Sequence, residues 1–331
     1  MNDFFQFVYA KVATLPFGDV LFLFIMGTIL FNITLIYGFT GYIEMKLIGH
    51  IHSRKGPVYT GPLGILQPIA DALKVLQKEV IFPHGFDRFL FTLPLFLLTI
   101  PNFLAIIFIP VGSFIVFQSD YSLLIALGLL SMSPIAILLG SWASNSKYST
   151  LGGLRSAGMT MSYEVLLGVA IASVIVTTGS MDIVKIVEYQ AAHGLWFAVM
   201  QPFAFLLFLV GTIAAVERNP FDLVEAESEL VSGWRTEYGG VYFLVTLIAE
   251  YIKLFVVLLL FTSLFLGGWM DFAGDVGFFV KVLVLTLLMV YIRATAIRLR
   301  LDQILAKVWH KYIPLGILNF IITLGVLEVL G

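Results

Sequence analysis

An all-α, polytopic membrane protein of about eight spanning helices, with an amphipathic helix on the cytoplasmic side, is what this sequence predicts. Three observations carry the prediction. Hydrophobic residues make up 60% of the 331 and charged residues only 12%, against about 25% charged in an ordinary soluble domain. Mean hydropathy is +0.99. Apolar runs long enough to cross a bilayer, about 20 residues each, recur along the chain. A single membrane domain over 1–331 accounts for them, since no linker interrupts the runs and no internal repeat of the inverted-transporter kind is visible.

The runs set the elements in order. The first is expected over 20–42. Asp3 precedes Lys11, so the basic start of a secretory signal is missing, and the run from Val20 reads as a retained helix. Further spans are expected over 89–117, 121–143, 160–179, 196–216, 241–266, 277–297 and 312–330. The second of the eight carries Pro94, Pro101 and Pro110 and should be kinked or tilted.

Charge then sets orientation. Of the 19 Lys and Arg, all but Lys11, Lys185, Lys253 and Lys281 fall in segments that follow odd-numbered spans, counting Arg293 at the end of the seventh. Positive residues collect on the cytoplasmic side, so the long loops are expected in the cytoplasm and both termini outside. A net charge of −2 gives no footing for nucleic acid. The absence of cysteine rules out thiolate zinc sites and cysteine-held iron–sulfur clusters on this chain. His50 and His52, two apart, suit no helical metal site, and no metal is assigned.

Three groups of residues stand out against the apolar background. After the first span, Gln67, Asp71, Lys74 and Lys78 recur at helical spacing, with Ile65, Leu66, Ile69, Leu73 and Leu76 on the other face. That is an amphipathic helix, suited either to the membrane interface or to lining a chamber. Between the fifth and sixth spans, Glu217, Asp222, Glu225, Glu227, Glu229 and Glu237 are crowded into one stretch whose only basic residues are Arg218 and Arg235. Acids so placed repel and share protons, which suits proton uptake as well as a solvated loop. Inside the spans lie Glu164, next to Tyr163, and Glu250, next to Tyr251, with Lys253 placed to pair with Glu250. Ionisable groups at membrane depth are costly and default to function, the competing reading being a structural ion pair.

The blocks Glu44-Met45-Lys46, Arg54-Lys55-Gly56-Pro57, Gly61-Pro62-Leu63-Gly64 and Gln67-Pro68-Ile69-Ala70-Asp71 resemble the first signature of the heel-subunit family of complex I, the membrane component of NADH-quinone oxidoreductases that meets the peripheral arm. Pro220-Phe221-Asp222 through Glu229, Glu237-Tyr238 and Ala249-Glu250-Tyr251 are similar to its second. Leu154-Arg155, Ser162-Tyr163-Glu164 and Arg293 to Gln303 match two further blocks. The resemblance implies a protein that forms, with a peripheral arm, the chamber for a quinone or related acceptor and couples electron transfer to ion translocation. It implies that Glu44, Lys46, Arg54, Gln67, Asp71, Lys74, Arg155, Arg293 and Arg298 serve the chamber. Tyr163, Glu164, Glu217, Asp222, Glu225, Glu227, Glu229, Glu237, Glu250, Tyr251 and Lys253 would serve proton or ion coupling.

By the same resemblance the chain is not catalytic alone and binds no cofactor of its own. The carrier would be a substrate of the whole complex. Expected partners are peripheral redox subunits, including an iron–sulfur subunit, together with antiporter-like and small membrane subunits in a prokaryotic plasma membrane. Met45 stands where many quinone-reducing members carry Arg, and the acceptor stays open between quinone, a phenazine-type carrier, protons and a sulfur compound. The alternatives are the equivalent subunit of an energy-converting hydrogenase or sulfur-reducing complex and, from another class, a stand-alone secondary transporter.

Overall fold

A computed structural model describes residues 40–222, 231–270 and 274–330. The bulk of the first expected span lies outside them. Six helical stretches among the described residues are long and apolar enough to cross a membrane: Arg88–Phe108, Ser122–Ala143, Lys147–Thr178, Gly240–Phe265, Gly274–Thr295 and Leu301–Glu328. The one extended pairing among the described residues is an isolated bridge between Val111 and Phe114. The architecture is all-α.

On the near side of the first long helix, α1 (Gly41–Ile51) leads through a 3-10 turn at Pro62–Gly64 to α2 (Gln67–Leu76). The apolar residues of α2, among them Ile69, Leu73 and Leu76, are about half exposed, while Gln67 and Asp71 are partly buried. The helix therefore turns its oily face outward, as a helix at a membrane surface does. Next, α3 (Arg88–Phe108) opens on Asp87, whose carboxylate accepts from Phe89 N at 3.0 Å and Leu90 N at 3.2 Å. Such a cap satisfies amides the first turn leaves unpaired. The helix ends at Phe108 because Ile109 precedes Pro110 and is driven extended. The expected run to residue 117 is thus cut short.

A broken span follows, α4 (Ser122–Leu130) and α5 (Met132–Ala143). The longest helix, α6 (Lys147–Thr178), begins well before the expected residue 160. Its early half holds Gly152, Gly153 and charged residues, which argue locally for a loop. The glycines are contact points instead. A β-carbon on Gly152 would come within 2.7 Å of Gly233 backbone, and one on Gly153 would overlap the Ser141 side chain. Small residues let helices approach closely in a membrane. α6 ends on Gly179 at φ +66°, the left-handed cap that favours glycine, and packs against α5 and the two helices numbered α9 and α13 below.

α7 (Ile183–His193) and α8 (Phe197–Met200) precede α9 (Pro202–Ala215). The expected helix over 196–216 is therefore interrupted, since Gln201 leaves helical geometry and Pro202 starts a new helix at its first position. Gln190 of α7 is fully engaged: its Nε2 donates to Ser263 O and Leu264 O at 3.0 and 3.2 Å, and its Oε1 accepts from Phe197 N and Gly267 N at 3.1 Å each. Beyond a 3-10 turn at Gly233–Arg235 come α10 (Gly240–Phe265), α11 (Gly274–Thr295), α12 (Leu301–Lys307), a π-helical turn at Val308–Tyr312 and α13 (Ile313–Leu330).

Candidate functional site

Helix α10 carries the centre of the site. Successive residues on a helix are about 100° apart, so Glu250 and Lys253 share one face while Tyr251 looks toward another. On the Tyr251 side, α1 turns Glu44 inward to 7% exposure. Its Oε2 accepts from Tyr251 OH at 2.8 Å. Its Oε1 accepts from Arg293 Nη1, at the end of α11, and lies 3.6 Å from Arg218 Nη1 in the segment after α9. Arg218 also sits 5.1 Å from the centre of the Tyr251 ring. Two guanidiniums thus converge on one carboxylate around a small cavity that Thr40 and Thr286 also line. A positive excess with directed N–H and O–H donors suits an electron-rich oxygen.

On the other face, Glu250 is paired with Arg235. Arg235 is 2% exposed, and its guanidinium lies 5.3 Å from the Trp234 ring centre. The turn holding it is fixed from two sides. Ser149 Oγ of α6 donates to Trp234 O at 2.8 Å, and Tyr238 OH donates to Phe91 O at 3.0 Å with its ring stacked 4.2 Å from Phe91. Burial pushes the Tyr238 hydroxyl above its ordinary range, which keeps it a neutral donor. Lys253 does not pair with Glu250 as the three-residue spacing suggests. It is 8% exposed and lies in the field of Glu217 and Glu164. Glu217 accepts from Ser156 Oγ at 3.0 Å.

Lys253 lines two cavities. One contains Glu217, Arg235 and Glu250, and the other contains Glu164, Thr160 and Gly168. The geometry therefore strings Glu250, Lys253, Glu217 and Glu164 along neighbouring spaces. Tyr163 is completely buried with its ring 4.9 Å from Phe221, and its hydroxyl has no hydrogen-bond partner among the described residues.

The remaining expected residues are more scattered. Thr60 Oγ1 donates to Gln67 Oε1 at 2.5 Å, and Gln67 Nε2 donates to Asp71 Oδ1 at 2.9 Å. Lys46 stands 5.8 Å from the Tyr42 ring centre. Arg54 and Lys74 are exposed, whereas Arg155, Arg298, Asp222 and Glu237 are half-buried. Glu225, Glu227 and Glu229 lie outside the described residues. Two groupings expected to be separate are joined: Glu44 and Arg293 of the chamber set meet Tyr251 of the coupling set. Arg218 and Arg235 are absent from both sets, although as the only cations in an acidic stretch they are its obvious counter-ions. Asn102, a buried polar residue of α3, carries no charge that would mark it in a sequence.

The family described as NADH dehydrogenase matches residues 23–324. An H subunit of NADH-quinone oxidoreductase from Geobacter sulfurreducens is 39% identical over 328 residues, covering 92% of either chain. The H subunit of Brevibacillus brevis is 40% identical over 290 residues, 85% of this chain and 86% of its own. That of Dehalococcoides mccartyi is 38% identical over 286 residues, 85% and 80% of the two chains. With its spanning helices and the ionisable chain that runs from α10 to α6, the protein belongs to the NADH dehydrogenase family and is akin, along most of its length, to the H subunits of NADH-quinone oxidoreductases.

Proposed function

We propose that the chain is the membrane subunit of a complex I-like, redox-driven ion pump, in which the Glu44–Arg293–Arg218–Tyr251 cluster serves the acceptor and the Glu250–Lys253–Glu217–Glu164 chain moves protons or ions. One observation supports this above others. Tyr251 and Glu250 are consecutive on α10, so the acceptor-side cluster and the ionisable chain share one rigid helix. A unit charge appearing about 10 Å from a carboxyl, at an effective dielectric of about 20, alters its proton equilibrium by about 1.7 kcal/mol, more than tenfold. Reduction of a bound acceptor is thereby felt along the chain without a large movement.

In the complex, Glu164→Gln and Glu250→Gln keep shape and hydrogen-bonding capacity but remove titration. In proteoliposomes each variant should lower ion pumping at least about tenfold, and turnover with it if coupling is tight. Wild-type pumping rate and stoichiometry in both would reduce these carboxylates to structural ion-pair members.

The quinone or related carrier is a substrate of the assembly in this reading. A peripheral module with an iron–sulfur subunit docks on the basic face, and antiporter-like and small membrane subunits lie beside the helices in a prokaryotic plasma membrane. The charge asymmetry supports that orientation. Cysteine placed at exposed Ala192, in the last turn of α7, should react with an impermeant thiol reagent added outside intact cells, and cysteine at exposed Ser53 should not. The reverse pattern would invert the topology.

A further inference from the structure

Asn102 sits on α3 just after Pro101 and is 1% exposed. Its Nδ2 donates to Leu98 O at 2.7 Å and to Ala249 O of α10 at 3.4 Å. Because both neighbours are carbonyls, the amide nitrogen must face them, which leaves Oδ1 for the opposite side. Oδ1 has no hydrogen-bond partner among the described residues, and neither has the buried Trp234 Nε1. Both side chains line the cavity that Glu217, Glu250 and Lys253 share. Trp234 is 1% exposed, so bulk solvent does not satisfy the indole.

The two orphaned atoms define what fits between them. Indole N–H only donates and the amide oxygen only accepts. An anion would answer the first and repel the second, and a metal cation would do the reverse. An apolar occupant would answer neither. Water both donates and accepts, and the space is enough for about one molecule.

We propose that Asn102 and Trp234 form the binding site of an internal water molecule that connects Glu250 with Lys253 and Glu217. The inference rests on the functional reading above for its purpose, though not for its geometry. A single bridging water is sufficient for proton transfer between groups that do not touch. It takes a proton from the acid at one end and releases another to the base at the other, so it is regenerated and no further reactant is consumed. Asn102 is then a positioning residue: it holds the water and, through Ala249 O, fixes the turn of α10 that bears Glu250.

X-ray hydroxyl-radical footprinting of the intact complex in vesicles tests this directly, because radicals born from a bound water mark the adjacent side chain whether or not a bulk scavenger is present. Trp234 should be oxidised in the wild type despite scavenger, and Asn102→Leu should lower that oxidation about fivefold or more and slow pumping by a similar factor. Asn102→Ser, which keeps an acceptor and leaves room for water, should retain most of both. An unmodified Trp234 in the wild type would overturn the proposal even if Asn102→Leu does not assemble. So would oxidation and pumping equal in the wild type and Asn102→Leu. Scavenger-resistant labelling lost in Asn102→Leu, alongside normal pumping by Glu250→Gln, would support the water site while removing the coupling role of the carboxylate.

Discussion

Arg235→Met is expected to cost the protein about 3 kcal/mol of stability, the low end of what losing one partner of a buried ion pair costs. The low end applies because Glu250 keeps 19% side-chain exposure while Arg235 keeps 1%. The penalty arises less from a lost attraction than from stranding a carboxylate among Trp234, Val216 and Ala249. Arg235→Met combined with Glu250→Leu should recover most of the loss, since replacing both charges by apolar groups removes the desolvation penalty too. Assembly yield and thermal inactivation of the purified complex read both effects. A single variant as stable as the wild type would mean that Glu250 finds another partner or reaches solvent. Lys185–Asp120 is the informative contrast. That pair is close, at 2.6 Å, and the hydrogen bond it donates to Asp120 holds the Lys185 ammonium above its ordinary range. Both side chains are nevertheless exposed, and Asp120→Asn should leave stability unchanged because exposed pairs contribute little.

Glu44→Gln should depress acceptor reduction about a hundredfold while the complex still assembles. The carboxylate is where α1, α10, α11 and the segment after α9 are joined, and both Arg293 and Arg218 reach the same oxygen. Without it, the two guanidiniums repel; unit charges of like sign about 6 Å apart at an effective dielectric of about 20 do so by about 3 kcal/mol. They would move apart, taking the donors that face the cavity with them. Tyr251→Phe removes one neutral donor at 2.8 Å and should cost only about fivefold. Steady-state reduction with a soluble quinone analogue measures both. Equal activity for Glu44→Gln and the wild type would place the acceptor away from this cluster.

The class of the fold is legible because hydropathy is a property of long windows, and the helices that cross a membrane fill such windows. Boundaries are less so, for a reason that recurs. Gly152 and Gly153 weaken a helix when judged by propensity, yet α6 runs straight through them because Gly233 backbone and Ser141 press against them. Tertiary contact overrules local preference there. Pro202 is a visible signal of a helix start that hydropathy averaging conceals. In the site, Gln67 and Asp71 form one polar stripe by their spacing and do bond each other. Glu44 and Arg293 are separated by 249 positions, and no local pattern announces such a pair. The spacing of Glu250 and Lys253 points to a local pair, but a planar, rigidly donating guanidinium from elsewhere in the chain occupies Glu250 instead.

Gln190 has a mechanical consequence. Its side chain spends every donor and acceptor it has on backbone groups at 197, 263, 264 and 267, about 20 Å along α10 from Glu250 at 1.5 Å per residue. Shearing α7 past α10 would break the three bonds to 263, 264 and 267 together, at about 1.5–4.5 kcal/mol for the set. The bundle is therefore built like tongs pinned at one end. At the other end, around Glu44 and Glu250, the segments are joined through side chain to side chain contacts from Tyr251, Arg293 and Arg235, so the backbone anchoring of α10 is concentrated at the Gln190 pin.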